Sequence, residues 1–293
     1  MMTMTYVGFA FAALLALAAA VWPASDAPRD ASGGVEIALD DIAAPLGVPL
    51  PPVEGSRNPA RPLVVIDAGH GGRDPGSTSP HDGTREKDVT LALARAIRDD
   101  LVASGRVRVA LTRADDRFLV LRDRYEIARR LGADLFVSVH ADAAPSNDQA
   151  HGATIYTLSE VASDREAALL ASRENQADVI GGAKMSDTPE VNHILIDLAQ
   201  RESMNVAADF ARLLHREGQA YFPFRPQYHR FASLIVLKAP DIPSILFESG
   251  YLTNRQDAAY ITSEDGRRGI AQGMRRAIEA HFARRMASRA NRS

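Results

Sequence analysis

Leu63-Val64-Val65-Ile66-Asp67-Ala68-Gly69-His70-Gly71-Gly72 carries the first decision about this 293-residue chain. Four consecutive apolar residues predict a strand buried on both faces. The glycine-rich turn that follows sets a histidine just past the strand end, where open α/β sheets place their sites. Working outward, Val89 to Ser104 has helical apolar spacing at Val89, Leu93, Ala96, Ile97 and Leu101, with Gly105 as its stop. Val107–Thr112 predicts a second strand and Leu119–Leu131 a second helix, again closed by a glycine. Leu135–Val139 is another buried-strand run, Ala153–Thr157 a further strand, and Ile235–Leu237 and Ser244–Phe247 complete the set. Glu202–Glu217 and Ser263–Met286 read as amphipathic helices. Strands alternating with helices predict an α/β fold, a single layered domain with a mostly parallel or mixed sheet flanked by helices.

Composition narrows the function. A hydrophobic fraction of 46% is enough for a sizeable core. A net charge of -3 excludes the basic surface that sequence-independent nucleic-acid binding requires, so no nucleic-acid partner is expected. With no cysteine, disulfides and thiolate ligands are excluded, and any metal must be held by His, Asp or Glu.

The N-terminal region predicts export. Up to Pro28 its only charged side chain is Asp26, and Val7–Trp22 is almost unbroken Ala, Leu, Val and Phe. A helix over that run would be about 24 Å long, short of the roughly 30 Å hydrocarbon core, which favours a signal over a spanning helix. Residues 1–28 are read as a signal peptide or N-terminal anchor, and 29–61 as a Pro-rich linker with a short strand at Val35–Leu39. Residues 62–286 form the catalytic domain and 287–293 a tail. Within the domain, residues 158–199 break the strand–helix rhythm. They hold a charged helical stretch, Asp164–Ile180, then Gly181-Gly182 and a polar loop, and read as a lid or a disordered insertion.

Two histidines follow strand ends, His70 and His140, with Glu86 just ahead of the first helix and Glu248 at the end of the last strand. Two neutral imidazoles and one carboxylate suit a catalytic zinc that keeps a position for water, while a second carboxylate can move the proton. The glycine-rich loop also admits a phosphate-cradle reading, although it lacks the Lys-Ser/Thr ending of a P-loop and the GxGxxG spacing.

Val65-Ile66-Asp67-Ala68-Gly69-His70-Gly71-Gly72-Arg73-Asp74-Pro75-Gly76 resembles the opening motif of the zinc-dependent N-acetylmuramoyl-L-alanine amidases of daughter-cell separation. In the same order come Glu86 before Lys87-Asp88-Val89-Thr90-Leu91, then Leu111-Thr112-Arg113 with Asp116, then Ser138-Val139-His140. Gly152–Glu160 follows, and last Leu237–Asn254, which looks like the family's closing motif around Glu248. The resemblance runs from Leu63 to about Phe282. It implies zinc held by His70, Glu86 and His140, catalysis by Glu248, and hydrolysis of the amide joining the lactyl group of muramic acid to L-alanine. It also implies that the stretch from Ser163 to Gly182 is a regulatory helix covering the site. Glu174 is then the side chain expected to occupy the metal's open position, with Glu166 second.

The partners implied are peptidoglycan and an activator of the division machinery, endopeptidase-like but inactive, and the location is periplasmic or the cell envelope. Residues 26–61 are too short for a wall-targeting domain, so placement at the septum is expected to depend on partners. Ala141-Asp142 stands where more distant members carry Asn, which bears on substrate contacts and not on the metal. His81, His151, His193, His215, His229 and His281 match no ligand position and read as structural or surface residues. A non-enzymatic peptidoglycan-binding regulator on the same fold and a zinc peptidase acting on the stem peptide are the alternatives. A glycosidase would need a carboxylate pair and no metal.

Overall fold

The computed structural model describes residues 48–147, 149–182 and 193–290. The expected signal or anchor and the Val35–Leu39 strand lie outside the described residues. Among those described, no helix is long and apolar enough to cross a membrane.

The anticipated buried runs are strands: β1 (Glu54–Gly55), β2 (Leu63–Ala68), β3 (Arg108–Leu111), β4 (Leu135–Asp142), β5 (Ala153–Leu158), β6 (Phe224–Ala232) and β7 (Ser244–Tyr251). They form one mixed sheet in the order β1-β3-β2-β4-β7-β5-β6. Neighbours from β3 to β7 run parallel, while β1 and β5 pair antiparallel to β3 and β7. Every residue of β2, β4, β5 and β7 is buried, because helices cover both faces.

Side-chain alternation splits the core. Val64, Ile66, Val137, Val139, Ile245 and Phe247 meet α1 (Glu86–Ser104), α5 (His193–Gly218) and α7 (Glu264–Ala290). Leu63, Val65, Phe136 and Leu246 face the other way, onto α2 (Leu121–Arg130), α3 (Arg165–Glu174) and α4 (Ala177–Ile180). On α1 the expected stripe of Leu93, Ile97 and Leu101 is fully buried, each side chain contributing about 1.5–3 kcal/mol. Gly105 closes α1 in the left-handed conformation, its N–H donating to Val102 O. A further helix, α6 (Arg255–Thr262), is capped by Asn254.

Several elements differ from the sequence expectation. Ile235–Leu237 is a turn of 3-10 helix and not a strand; three apolar residues do not distinguish the two. The strand nearby is β6, whose Phe-Arg-Pro-Gln-Tyr-His-Arg-Phe-Ala has no apolar alternation. It sits at the sheet edge, which tolerates Pro226, and its register with β5 slips between Ala153↔Phe224 and Ile155↔His229. Finally, β1 lies inside the stretch read as linker, and the stretch read as insertion ends within α5, which starts at His193.

Candidate metal centre

The site lies at the carboxyl ends of β2 and β4. His70 follows β2 and is, among the described residues, the only non-glycine with positive φ, at 59°. That strained backbone needs support, and the surrounding polar residues supply it. Arg124 donates to Ala68 O at 2.7 Å and to His70 O at 2.8 Å, while Arg113 donates to Gly69 O at 2.7 Å. Both arginines are 1% exposed. Asp67 anchors the assembly, accepting from Arg124, from Thr112 at 2.6 Å and from Ser138 at 2.7 Å. Burial would raise the Asp67 pKa, but Arg124 and the two hydroxyls outweigh it and hold it below the ordinary value. The Asp in the opening motif is therefore the keystone of the loop.

Orientation of the imidazoles is equally determined. His70 Nδ1 lies 2.8 Å from Asp74 Oδ2, which aims Nε2 inward. Glu86 is the first residue of α1, and its Oε2 and Oε1 accept backbone N–H bonds from Ser77 at 2.8 Å and Ala141 at 3.0 Å. Oε1 also lies 3.0 Å from His70 Nε2 and 3.1 Å from His140 Nδ1. Glu174, at the end of α3, brings Oε2 to 3.4 Å from His70 Nε2 and 3.3 Å from His140 Nδ1. All four residues are buried. Ligand atoms of His70, His140 and Glu174 lie within 4.8 Å of one another, and the Glu86 distances put its oxygen at the same point.

These donors fit a zinc ion. Tetrahedral bonds of about 2.0–2.1 Å separate neighbouring ligand atoms by about 3.3 Å, close to the spacings seen. His70 Nε2 and Glu174 Oε2 are buried without hydrogen-bond partners, which is costly unless a cation satisfies them. Burial alone would lower the histidine pKa values. Glu86 and Glu174 reverse this and raise both to about 10, a measure of how strongly this point attracts positive charge.

Glu248 is fully buried within β7, which continues past it to Tyr251. Its register partners are His140 on β4 and Thr154 on β5. Neither carboxylate oxygen has a hydrogen-bond partner, and burial, with Asp142, Glu86 and Glu174 nearby, pushes its pKa well above the usual value.

The structure thus brings His70, Glu86, His140, Glu174 and Glu248 together, whereas Glu166 lies apart on the first turn of α3. Sequence reasoning missed the orienting role of Asp74 and the clamp at Arg173. Arg173 donates to Asp142 Oδ1 at 2.7 Å and Ala143 O at 3.0 Å, fastening α3 over the site. Spacing gave a hint for Asp74, four residues past His70, but none for Arg173. Of the other histidines described, His81 meets Thr253 O and His281 is buried against Phe210.

Fold and site together define an α/β protein with a buried His/Glu constellation that could hold a metal ion and a spare carboxylate beside it. Residues 64–280 match the Amidase_3 model, described as N-acetylmuramoyl-L-alanine amidase, and the chain belongs to this family. It is 35% identical over 242 residues to N-acetylmuramoyl-L-alanine amidase AmiC of Escherichia coli O6:H1, covering 80% of this chain but 57% of AmiC. Against AmiA of Escherichia coli K12 identity is 34% over 222 residues, covering 75% of this chain and 76% of AmiA. Among solved structures, AmiC2 of Nostoc punctiforme superposes with a TM-score of 0.55 at 26% identity, covering 78% of this chain and 99% of that one. The catalytic domain of CwlV from Bacillus (Paenibacillus) polymyxa gives a TM-score of 0.55 at 25% identity over 76% of this chain and 98% of that one.

Proposed function

We propose that this protein hydrolyses the amide between N-acetylmuramic acid and L-alanine in peptidoglycan, with zinc held by His70, Glu86 and His140. The observation that carries the reading is Glu248, a fully buried carboxylate with no hydrogen-bond partner beside the ligand constellation. Structural carboxylates are paired; an unpaired one at such a place is poised for proton transfer.

Bound zinc supplies Lewis acidity toward the scissile carbonyl and acidifies water. Glu248 accepts the attacking water's proton and returns it to the leaving nitrogen of L-alanine. Asp74 keeps His70 in the tautomer that presents Nε2, and Glu86 is held in place by the backbone N–H groups of Ser77 and Ala141.

With α3 in place the site is closed. Glu174 stands between the ligand histidines, and the remaining cavity along His70, Arg124, His140 and Glu174 is about 10 Å³, room for one water at most. A carbonyl and the Glu174 carboxylate compete for one position, so turnover requires α3 to leave. The energy for that must come from a partner that binds the displaced state better. An envelope activator of the division machinery fills this role in our reading, and an exported enzyme with an inhibitory insertion over residues 158–199 suits wall cleavage during daughter-cell separation.

Mass spectrometry of the soluble products from purified peptidoglycan tests the reading. The zinc-loaded chain with Arg173→Ala and Glu174→Ala should release stem peptides bearing a free L-alanine N-terminus, with much less from the unaltered chain. Shortened peptides still attached to sugar would make it a peptidase, and no release from the folded variant would favour a binding role.

A further inference from the structure

Glu166 is gripped by three side chains of the sheet. Its carboxylate meets Arg230 Nη1 at 3.0 Å, accepts from Arg225 Nη2 at 3.3 Å and from Tyr251 Oη at 3.2 Å, and accepts again from Arg225 Nη1. Two guanidiniums and a phenol on one carboxylate exceed what a surface ion pair needs. Arg230 is 4% exposed, and its contact with Glu166 is an ion pair without hydrogen-bond alignment, so Nε and Nη1 keep unused donors. The phenol of Tyr156, register partner of Arg230, is buried and unpartnered too.

The source of the compensating charge matters most. Among the described residues, the carboxylates facing Arg225 and Arg230 are Glu166 and, at 3.6 Å from Arg230, Asp164. Asp164 is the N-cap of α3 and Glu166 lies in its first turn. When α3 leaves, both anions leave with it. Two arginines then face the emptied groove with no protein carboxylate, which leaves a positively charged pocket suited to an incoming anion.

The spacing indicates what replaces them. Glu166 and Glu174 are eight residues apart on one helical run, about 12 Å at 1.5 Å per residue. Across the floor, His140 pairs with Glu248, Glu248 with Thr154, and Tyr156 with Arg230, which takes three strand spacings or about 14 Å from β4 to β6. Helix α3 therefore lays one carboxylate between the ligand histidines and a second about 12 Å away in the arginine pocket. Along an extended peptide at about 3.3–3.6 Å per residue, that second point lies three to four residues from the scissile amide. A γ-linked D-glutamyl residue spends extra bonds, which brings the third stem residue to this distance.

We infer that α3 mimics the substrate at two points, and that Arg225, Arg230 and Tyr251 form a subsite for a carboxylate on the third residue of the stem peptide. The inference rests on the amidase reading of the metal site. Arg225, 17% exposed, reaches in from the rim, while Arg230 and Tyr251 form the floor.

The test uses the full-length, zinc-loaded chain carrying Arg173→Ala, Glu174→Ala and Glu166→Gln. Its substrates are muramoyl-tripeptides with a free third-residue carboxylate, with that carboxylate amidated, or with the second-residue carboxylate amidated. Amidation at the third residue should lower kcat/KM at least tenfold, mainly through KM. Adding Arg225→Gln should lower the unamidated substrate to the same level and abolish the discrimination; Arg230→Gln should do likewise if its thermal melt shows a folded chain. Binding of the free tripeptide to the metal-stripped chain, followed by calorimetry, should weaken with the same pattern. An Arg225→Gln chain that still discriminates, equal cleavage of free and amidated forms, or a loss confined to second-residue amidation would overturn the subsite. Failure of the background chain to cleave any of the three would instead sink the amidase reading.

Discussion

Gly69→Ala isolates the role of His140 with a single methyl group. Gly69 does not occupy the left-handed region, so alanine adopts its backbone without strain, and the perturbation is steric alone. A Cβ there would meet the His140 ring, 2.5 Å from Cε1 and 2.9 Å from Cδ2, with Nε2 nearest of all. Ordinary contact begins at 3.4 Å and Nε2 would lie closer still than Cε1, so the ring must withdraw by about 1.0 Å. The backbone cannot yield instead, because Gly69 O accepts from both Thr90 and Arg113, and Gly69 N donates to Val139 O. Overpacking of this kind costs about 1–3 kcal/mol of stability. Metal sites tolerate ligand displacements of about 0.2 Å, so the larger effect falls on zinc. We expect affinity to fall at least about 100-fold, equivalent to about 2.8 kcal/mol at 1.4 kcal/mol per decade. Competition with a chromophoric chelator measures this directly, and a thermal melt of the metal-free chain reports the steric cost separately. Wild-type zinc affinity in a folded Gly69→Ala chain would falsify the assignment of His140 as a ligand.

Three further outcomes follow from the same geometry. Asp74→Asn should weaken zinc binding by about 10–100-fold while the fold persists, because the amide no longer enforces the His70 tautomer; unchanged affinity would show that Arg124 and the backbone orient His70 unaided. Glu248→Gln should lower kcat by about 10²–10⁴ in an α3-released chain and raise the melting temperature, since a neutral amide replaces a buried unpaired carboxylate; a less stable variant would mean the carboxylate has a partner when metal is bound. For His281, burial and Arg285 lower the pKa from 6.5 to about 4, against Asp209. The neutral ring is the folded form, so its stabilising contribution is complete above pH 6.5 and lost as pH falls toward 4, at most about 3 kcal/mol. Denaturant unfolding at pH 7 and pH 4.5 should show a smaller drop in His281→Phe than in the unaltered chain, and equal drops would contradict the burial argument.

Much of the fold was legible because its strands are buried on both faces. Runs such as Leu63–Ile66 and Leu135–Val139 need no partner to be recognised, and glycines 105 and 132 announce the helix ends. The edge strand β6 was not legible. An edge strand leaves one row of backbone groups unpaired, so Pro226 is tolerated there, and with Arg225 and Arg230 breaking the apolar alternation the periodic signal vanishes. The same polar residues that hid the strand are the ones that grip Glu166.

The sequence by itself determined the strand–helix alternation and the chemical types of the candidate ligands, His and Glu near the carboxyl ends of buried strands or at a helix start, since these depend on local pattern and on cysteine being absent. It also singled out Glu174 through the likeness of the insertion to a regulatory helix. Only the tertiary structure decided that Glu174 lies 3.3–3.4 Å from His70 Nε2 and His140 Nδ1, that Arg173 fastens to Asp142, and that Glu248 is sealed without a partner. These are meetings between residues 31 to 104 positions apart in the chain. They are set by sheet register and by how α3 packs on β6, and no spacing rule within a chain encodes either.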